Sequence, residues 1–141
     1  MILREGRFVL FTALPSQLSS YWLYEYFPIA MQKSVCQLPS LKVITQALKH
    51  LGFELENSIP FFVTSELEDF FLYSGKHKPE TYLSKKVRDG ISIFSNLAQR
   101  DEVAVGLAKL ARDIESGYIK EVMQSYPDTD GDCLFIQSGK R

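Results

Sequence analysis

The residues between Asp69 and Ser92 carry the side chains best suited to chemistry in this sequence. Gly75 and Pro79 predict a turn between two helix-like halves, and such a turn can aim several polar side chains into one space. The ionisable or hydrogen-bonding side chains gathered here are Asp69, Tyr73, Lys76, His77, Tyr82 and Arg88. A solvated turn between helices, with an apolar underside, is the alternative interpretation.

A second group of candidate residues lies in the aromatic stretch 21–28, in which Trp22 and Tyr26 share one face of a predicted helix. Aromatic side chains with polar tips often line ligand pockets, so both are candidates for a substrate-binding wall. Aromatic residues at helical spacing more often belong to an ordinary apolar core, which is the alternative interpretation.

Length and charge narrow the classes of protein to consider. The chain has 141 residues, a net charge of -1 and a pI of about 6.1, which predicts one globular domain and argues against nucleic acid as a partner. No apolar run is long enough for a membrane span, and no signal peptide is visible at the N-terminus. We expect no membrane association and a cytoplasmic location.

No metal site is predicted. The two cysteines, Cys36 and Cys133, have no closely spaced partner that would indicate a zinc site or a disulfide framework. The acidic turn at 127–132 lacks the later glutamate of a calcium-binding EF-hand loop. A reducing compartment fits this use of cysteine.

The elements that must position these residues open with a strand. Residues 7–13 form a continuous apolar, β-rich run, which predicts a central strand buried on both faces as in a parallel sheet. Leu3 to Gly6, just before it, resembles the last turn of a helix closed by a glycine. A helix capped by Ser40 and ended by Gly52, followed by a strand over 53–63, completes a strand-helix-strand pattern typical of a parallel sheet.

The second half of the chain is predicted to be mainly helical. Residues 65–127 carry no strand signal, and helices are predicted over 84–97 and, most strongly, over 101–116 with Gly117 as its end. A closing strand follows at 133–136. The fold prediction is therefore a single α/β domain, 1–141, with about three strands and a helical insert at about 65–127.

Four stretches together resemble a known family. Leu3-Arg-Glu-Gly-Arg-Phe-Val-Leu10 is similar to the "L-x-P-G-G-x-L-V-L" start of the fifth strand of class I S-adenosylmethionine-dependent methyltransferases of the small-molecule type. The segment 40–53 is similar to the next helix and the start of strand six, and Gly131-Asp-Cys-Leu-Phe-Ile136 to strand seven. Residues 69–92 resemble a helical insert of one subgroup. The resemblance implies the C-terminal half of a Rossmann-like fold, with strands in the order five, seven, six.

The sequence departs from that family where the cofactor would bind. A Gly-rich turn after a strand lets the backbone approach a cofactor closely, and this sequence contains no G-x-G run. S-adenosylmethionine is therefore expected for the complete family fold, and no cofactor contact is expected from this chain alone. The chain is expected to be the substrate-side half of a truncated or divided methyltransferase, inactive by itself.

The resemblance implies that the candidate residues bind or activate a small-molecule methyl acceptor, which the sequence does not identify. His77 is the candidate base, because imidazole titrates near neutral pH. The remaining candidates would orient the acceptor or wall its pocket: Trp22, Tyr26, Asp69, Tyr73, Lys76, Tyr82 and Arg88. The alternative hypothesis is a non-catalytic oligomerising or ligand-binding module derived from the same fold.

The first strand also predicts a partner. Within the resemblance, its neighbour on one side is absent, which would leave an apolar edge open to pairing with another chain. We expect a homodimer or a complementary cofactor-binding half to cover this region; a segment folded back over the edge is the alternative.

Overall fold

The computed structural model describes the backbone of residues 2–4 and the backbone and side chains of residues 6–66, 71–126 and 129–140. Four strands form one sheet: β1 Ile2–Arg4, β2 Arg7–Thr12, β3 Phe53–Phe61 and β4 Cys133–Lys140. The α-helices are α1 Pro15–Ser19, α2 Pro28–Gln37, α3 Leu41–His50, α4 Lys85–Asp89, α5 Arg100–Ser116 and α6 Ile119–Ser125.

The sheet is antiparallel throughout its described strands, in the order β1-β2-β4-β3. The expectation of a parallel sheet was therefore wrong. β2 and β3 do run in the same direction, but β4 returns from the helical segment in the opposite direction and lies between them. A strand-helix-strand pattern in sequence cannot reveal that a distant strand separates the two strands.

Residues 2–4 form a strand, not the predicted end of a helix. Ile2 pairs with Val9 and Arg4 with Arg7, so β1 folds back along the outer edge of β2. Gly6 makes this reversal possible, since its φ of 74° lies in the left-handed region that other residues avoid. Pairing with β2 thus decides the structure of a segment whose local sequence is ambiguous.

One face of the sheet is covered by α3. Ser40 caps this helix as predicted, accepting a hydrogen bond of 3.3 Å from the Val43 amide. Ile44 and Leu48 pack on Leu134 and Ile136 of β4, with flanking apolar side chains from β2 and β3. The opposite face of β2 stays open: Phe11 is 48% exposed, so the prediction of a strand buried on both faces was wrong.

A second core lies at the end of the sheet where β2 and β3 finish. It combines the segment after β2 with the helical segment between β3 and β4, including Leu23, Phe27, Tyr82 and Leu110. The predicted helix over 84–97 is divided into α4 and a π-helical turn, Ile93–Leu97. The prediction for α5 is confirmed, with Gly117 closing it in the left-handed conformation.

Within the described ranges, no helix is both long enough and apolar enough to cross a membrane.

Gly106 tests the packing of the second core. A Cβ at this position of α5 would lie 2.5 Å from the Phe27 ring and still closer to the Tyr26 carbonyl oxygen. We expect Gly106→Ala to lower the unfolding free energy by about 1–3 kcal/mol because the helix must move away.

The matched control is Gly90→Ala, since a Cβ there meets only the Val87 carbonyl oxygen, at 3.6 Å. Its unfolding free energy should stay within about 0.5 kcal/mol of the parent in urea titrations. Equal stability of the two variants would show that α5 does not pack this closely.

Candidate functional site

A cavity of about 310 Å³ opens at the carboxyl ends of β2 and β3, beside the start of β4. Its size is at the lower end of the range found for small-molecule sites. Its walls combine aliphatic side chains with hydroxyl, amide and carboxylate groups: Leu14, Ser16, Gln17, Leu41, Ser58, Pro60, Thr129, Asp130 and Leu134. Such a mixture can hold a small molecule that is partly apolar and partly polar.

Gln17 builds one wall of this cavity. Its Oε1 accepts a 2.8 Å hydrogen bond from the Leu14 amide, and its Nε2 donates to the carbonyl oxygens of Asp130 and Cys133, both at 3.0 Å. The oxygen and the nitrogen of the buried Gln17 side-chain amide are thus both hydrogen-bonded to backbone groups. Gln17 fixes the wall, whereas the exposed Ser16 and Asp130 side chains remain in contact with solvent.

Behind that wall, Lys76 and Asp132 form a buried ion pair with a separation of 2.5 Å between Nζ and Oδ2. The same Oδ2 accepts a 2.8 Å hydrogen bond from the Val63 amide. Trp22 donates from its indole nitrogen to the Lys76 carbonyl oxygen at 3.1 Å. The pair therefore joins the helical segment to the chain that leaves β3 and to the chain that begins β4.

His77 reinforces the same junction from the outside. Its Nε2 lies 2.8 Å from the Val63 carbonyl oxygen, and because a carbonyl only accepts, Nε2 carries the hydrogen in this arrangement. The residue is exposed. The role of His77 as a base stays a prediction.

Three tyrosines pack beside the ion pair. The hydroxyls of Tyr21 and Tyr82 are 2.5 Å apart, and Tyr82 in turn donates to the Leu72 carbonyl oxygen. The Tyr73 ring packs against the Tyr21 ring at a tilt of 50°, with ring centroids 4.6 Å apart. Burial raises the pKa of all three phenols well above the ordinary value for tyrosine. All three phenols are neutral near neutral pH and do not act as bases. The Tyr21 and Tyr82 hydroxyls are hydrogen-bonded, whereas the buried Tyr73 hydroxyl has no hydrogen-bond partner among the described residues.

The remaining candidates are placed apart from the ion pair. Tyr26 donates to Asp113 at 2.8 Å, and burial, followed by this hydrogen bond, raises its pKa. Arg88 donates from Nη1 to the Tyr82 carbonyl oxygen at 2.8 Å. Asp69 lies outside the described residues.

The structure therefore gathers several predicted residues, but around a buried network. Trp22, Tyr73, Lys76 and Tyr82 belong to it, whereas Arg88 and His77 bind backbone at its margin. None of the predicted residues lines this cavity or a smaller one of about 130 Å³ beside Arg7 and Glu56. Their assignment to a substrate site stays a prediction.

Sequence reasoning missed Gln17, Asp130 and Asp132. The signal available for the last two was the acidic turn before the closing strand, which was interpreted only as a turn or a failed calcium loop. Gln17 offered no signal, because the two carbonyl groups to which it donates are more than a hundred residues away in sequence. Within the described ranges no cluster of side chains suits a metal ion.

The ion pair should dominate the stability of this region. Lys76→Met leaves the Asp132 carboxylate buried without its cation, and we expect a loss of about 3–5 kcal/mol of unfolding free energy. Lys78→Met is the matched control, because Lys78 is exposed and its loss should cost less than about 0.5 kcal/mol. Urea titrations followed by Trp22 fluorescence measure both; a loss below about 1 kcal/mol for Lys76→Met would contradict the predicted contribution.

The two thiols should react at very different rates. Burial raises the pKa of Cys133 to about 11, whereas Cys36 is exposed. At pH 8, a disulfide reagent should modify Cys36 at least about 100-fold faster than Cys133, because thiolate is the reactive form. Mass mapping of the labelled chain measures this ratio, and similar rates would show that the start of β4 opens readily.

The raised pKa of Cys133 should also make stability depend on pH. The unfolding free energy should fall as pH rises from about 8.5 toward the folded-state pKa, because the unfolded chain releases the thiol proton first.

The comparisons with known proteins can now be set beside this geometry. No family model and no curated protein matches the chain. A crystal structure of a protein assigned as a methyltransferase of an antibiotic biosynthesis pathway in Anabaena variabilis ATCC 29413 matches with 30% sequence identity and a TM-score of 0.79.

That match covers 99% of this chain and 57% of the other, so the chain spans little more than half the length of its structural neighbour. Nearly every residue here has a counterpart there, whereas a large part of the neighbour has none here. The chain therefore has a methyltransferase-like α/β fold.

Proposed function

We propose that this chain is the acceptor-side half of an S-adenosylmethionine-dependent methyltransferase that acts on a small molecule. The observation that carries the proposal is the match to the Anabaena variabilis protein along nearly the whole chain. In this proposal β2, β4 and β3 correspond to the fifth, seventh and sixth strands of the complete fold, and the helical segment lies above their carboxyl ends.

The residues present do not fit the cofactor itself. β2 passes into α1 through Ala13 and Leu14, without a glycine that would let the backbone approach a nucleotide. In the described ranges, glycines with positive φ stand at positions 6, 52, 117 and 131, and none of these lies between a strand and a following helix. The cofactor would be held by a complementary half, so we derive no step of methyl transfer from this chain.

The cavity supplies what the acceptor-side half must provide, which is positioning. Methyl transfer depends mainly on holding the two reactants in line. Leu14, Leu41 and Leu134 form the apolar part of the cavity wall. The Asp130 carboxylate can accept a hydrogen bond from a hydroxyl or amine of the acceptor. We assign the cavity to a small, partly apolar acceptor with at least one hydrogen-bond donor.

A ligand-binding module without catalysis is the second candidate. The missing glycine turn favours it, because such a module would use the same cavity without needing the cofactor. The two candidates differ in what happens when a cofactor-binding half is supplied: only the methyltransferase half should then transfer a methyl group to the ligand of the cavity.

The first test is a nuclear magnetic resonance screen of the isolated chain against small hydroxylated and aminated compounds. Binding compounds should perturb backbone signals of Ser58, Asp130 and Leu134, and titration with S-adenosylmethionine alone should perturb none. Leu41→Trp, which fills the cavity, should weaken binding by at least about tenfold, or ~1.4 kcal/mol.

Val43→Trp is the matched control on the exposed side of the same helix and should leave ligand affinity unchanged. Compounds that bind elsewhere would contradict the assigned cavity. Micromolar affinity of the isolated chain for S-adenosylmethionine would contradict the division of roles between the two halves.

A further inference from the structure

The sheet face opposite α3 carries a cluster of apolar side chains from three strands, here called the phenylalanine face. It consists of Phe11 on β2, Phe135 on β4, and Ile59 and Phe61 on β3. The Phe11 ring lies 4.6 Å from Phe135 and 5.7 Å from Phe61, and Phe61 lies 5.9 Å from Phe135, between ring centroids. The three rings thus form one continuous surface across the sheet.

This surface is open to solvent. Phe11 is 48% exposed, Ile59 42% and Phe61 36%. On the other side of the same strands, Leu134 and Ile136 are buried beneath α3. An antiparallel sheet can leave one face in water, but such a face normally carries polar side chains, and a contiguous exposed apolar patch marks an interaction site.

Along the strands, the phenylalanine face continues to Val9 and then gives way to polar side chains. Toward the other end of the sheet, the same face carries Arg7, Glu56 and Gln137, with the Arg7 and Glu56 side chains 4.0 Å apart above Gly139 and both exposed. An occupant of the phenylalanine face therefore needs one apolar stripe at the carboxyl end of β2, and polar groups beyond it.

The edge of β2 beside this face is only partly covered. β1 pairs with Arg7, Phe8 and Val9, and in the described part of the chain no strand pairs with Leu10 to Thr12 on that side. The segment that folds back therefore covers half of the edge predicted to be open. The uncovered half adjoins Phe11.

We propose that the phenylalanine face is the docking surface for the complementary half of the fold, in the form of a polypeptide that lays an apolar helix across Phe11, Phe61 and Phe135. This inference rests on the proposed function. The Anabaena variabilis protein supplies the reason for this occupant: this chain covers 57% of it, which leaves 43% of a protein of the same fold with no counterpart here. The part of that protein without a counterpart here can supply the helix that would cover the phenylalanine face.

A second copy of this chain fits less well. An aromatic side chain presents about 150–250 Å², so the exposed fractions of this face amount to roughly 300 Å² of apolar surface. A stable interface buries about 800 Å² on each partner. A two-fold contact through this face alone is therefore too small.

The test uses hydroxyl-radical labelling of two proteins: this chain alone, and a chimera in which this chain replaces the matched segment of the Anabaena variabilis protein. Labelling of Phe11, Phe61 and Phe135 should fall by at least about fivefold in the chimera, because docked side chains are shielded from water. Tyr118, 52% exposed on the helical side, is the internal control and should label equally in both. Equal labelling of the three phenylalanines in a folded chimera would overturn the proposal.

Variants give a second measurement. Phe11→Ser should make the chimera far more sensitive to limited proteolysis while leaving the isolated chain unchanged, and Val105→Ser, at a position 71% exposed on α5, should alter neither. Sedimentation of the isolated chain at micromolar concentrations should show a monomer with labelled phenylalanines. A dimer that protects them would overturn the proposal in favour of a second copy, even if no chimera folds.

Cofactor titration separates this inference from the proposed function. A chimera that protects the phenylalanine face but binds no S-adenosylmethionine supports docking and contradicts the function. A chimera that binds the cofactor while the face stays labelled contradicts docking alone.

Discussion

The ion pair between Lys76 and Asp132 is the contact on which the arrangement of this protein depends. Burying a charge lowers the stability of the fold unless an opposite charge lies close to it and its remaining hydrogen-bonding positions are satisfied. Here Asp132 is shared by the Lys76 ammonium and the Val63 amide, so one carboxylate holds three separate stretches of chain together. Breaking the pair would release the helical segment from the ends of β3 and β4 at once, and the cavity wall built on 129–133 would lose its support.

The protein has two cores of different character. α3 and its face of the sheet form a small, mainly apolar core that also buries Ser138, whereas the larger core at the strand ends mixes aromatic rings with buried hydroxyl and charged groups. Neutral tyrosines with raised pKa suit this second core, because they fill space and still satisfy backbone carbonyl groups. Several of the candidate residues thus belong to this core, their roles toward a substrate stay predictions, and the cavity is lined by other side chains.

The sequence predicted much of the fold, and the errors share one cause. α3 with its Ser40 cap and α5 with its Gly117 end follow from local periodicity and capping chemistry. The hairpin of β1, the antiparallel direction of β4 and the open face of β2 all depend on which strands pair and on what covers them, which local patterns do not encode. For the site, Trp22, Lys76 and Tyr82 lie together, and their role toward a substrate stays a prediction. Lys76 pairs with Asp132, whose turn gave no sign of a cation partner.

The sequence by itself determined where α3 and α5 begin and end, which side chains carry charge, and that the printed sequence contains no glycine-rich cofactor turn, because these properties reside in neighbouring residues. Only the tertiary structure decided which of those side chains meet. The pairing of Gln17 with Asp130 and Cys133, and of Lys76 with Asp132, brings together groups more than fifty residues apart. The exposure of the phenylalanine face was likewise decided by the tertiary structure, because it depends on which parts of the chain pack against the sheet.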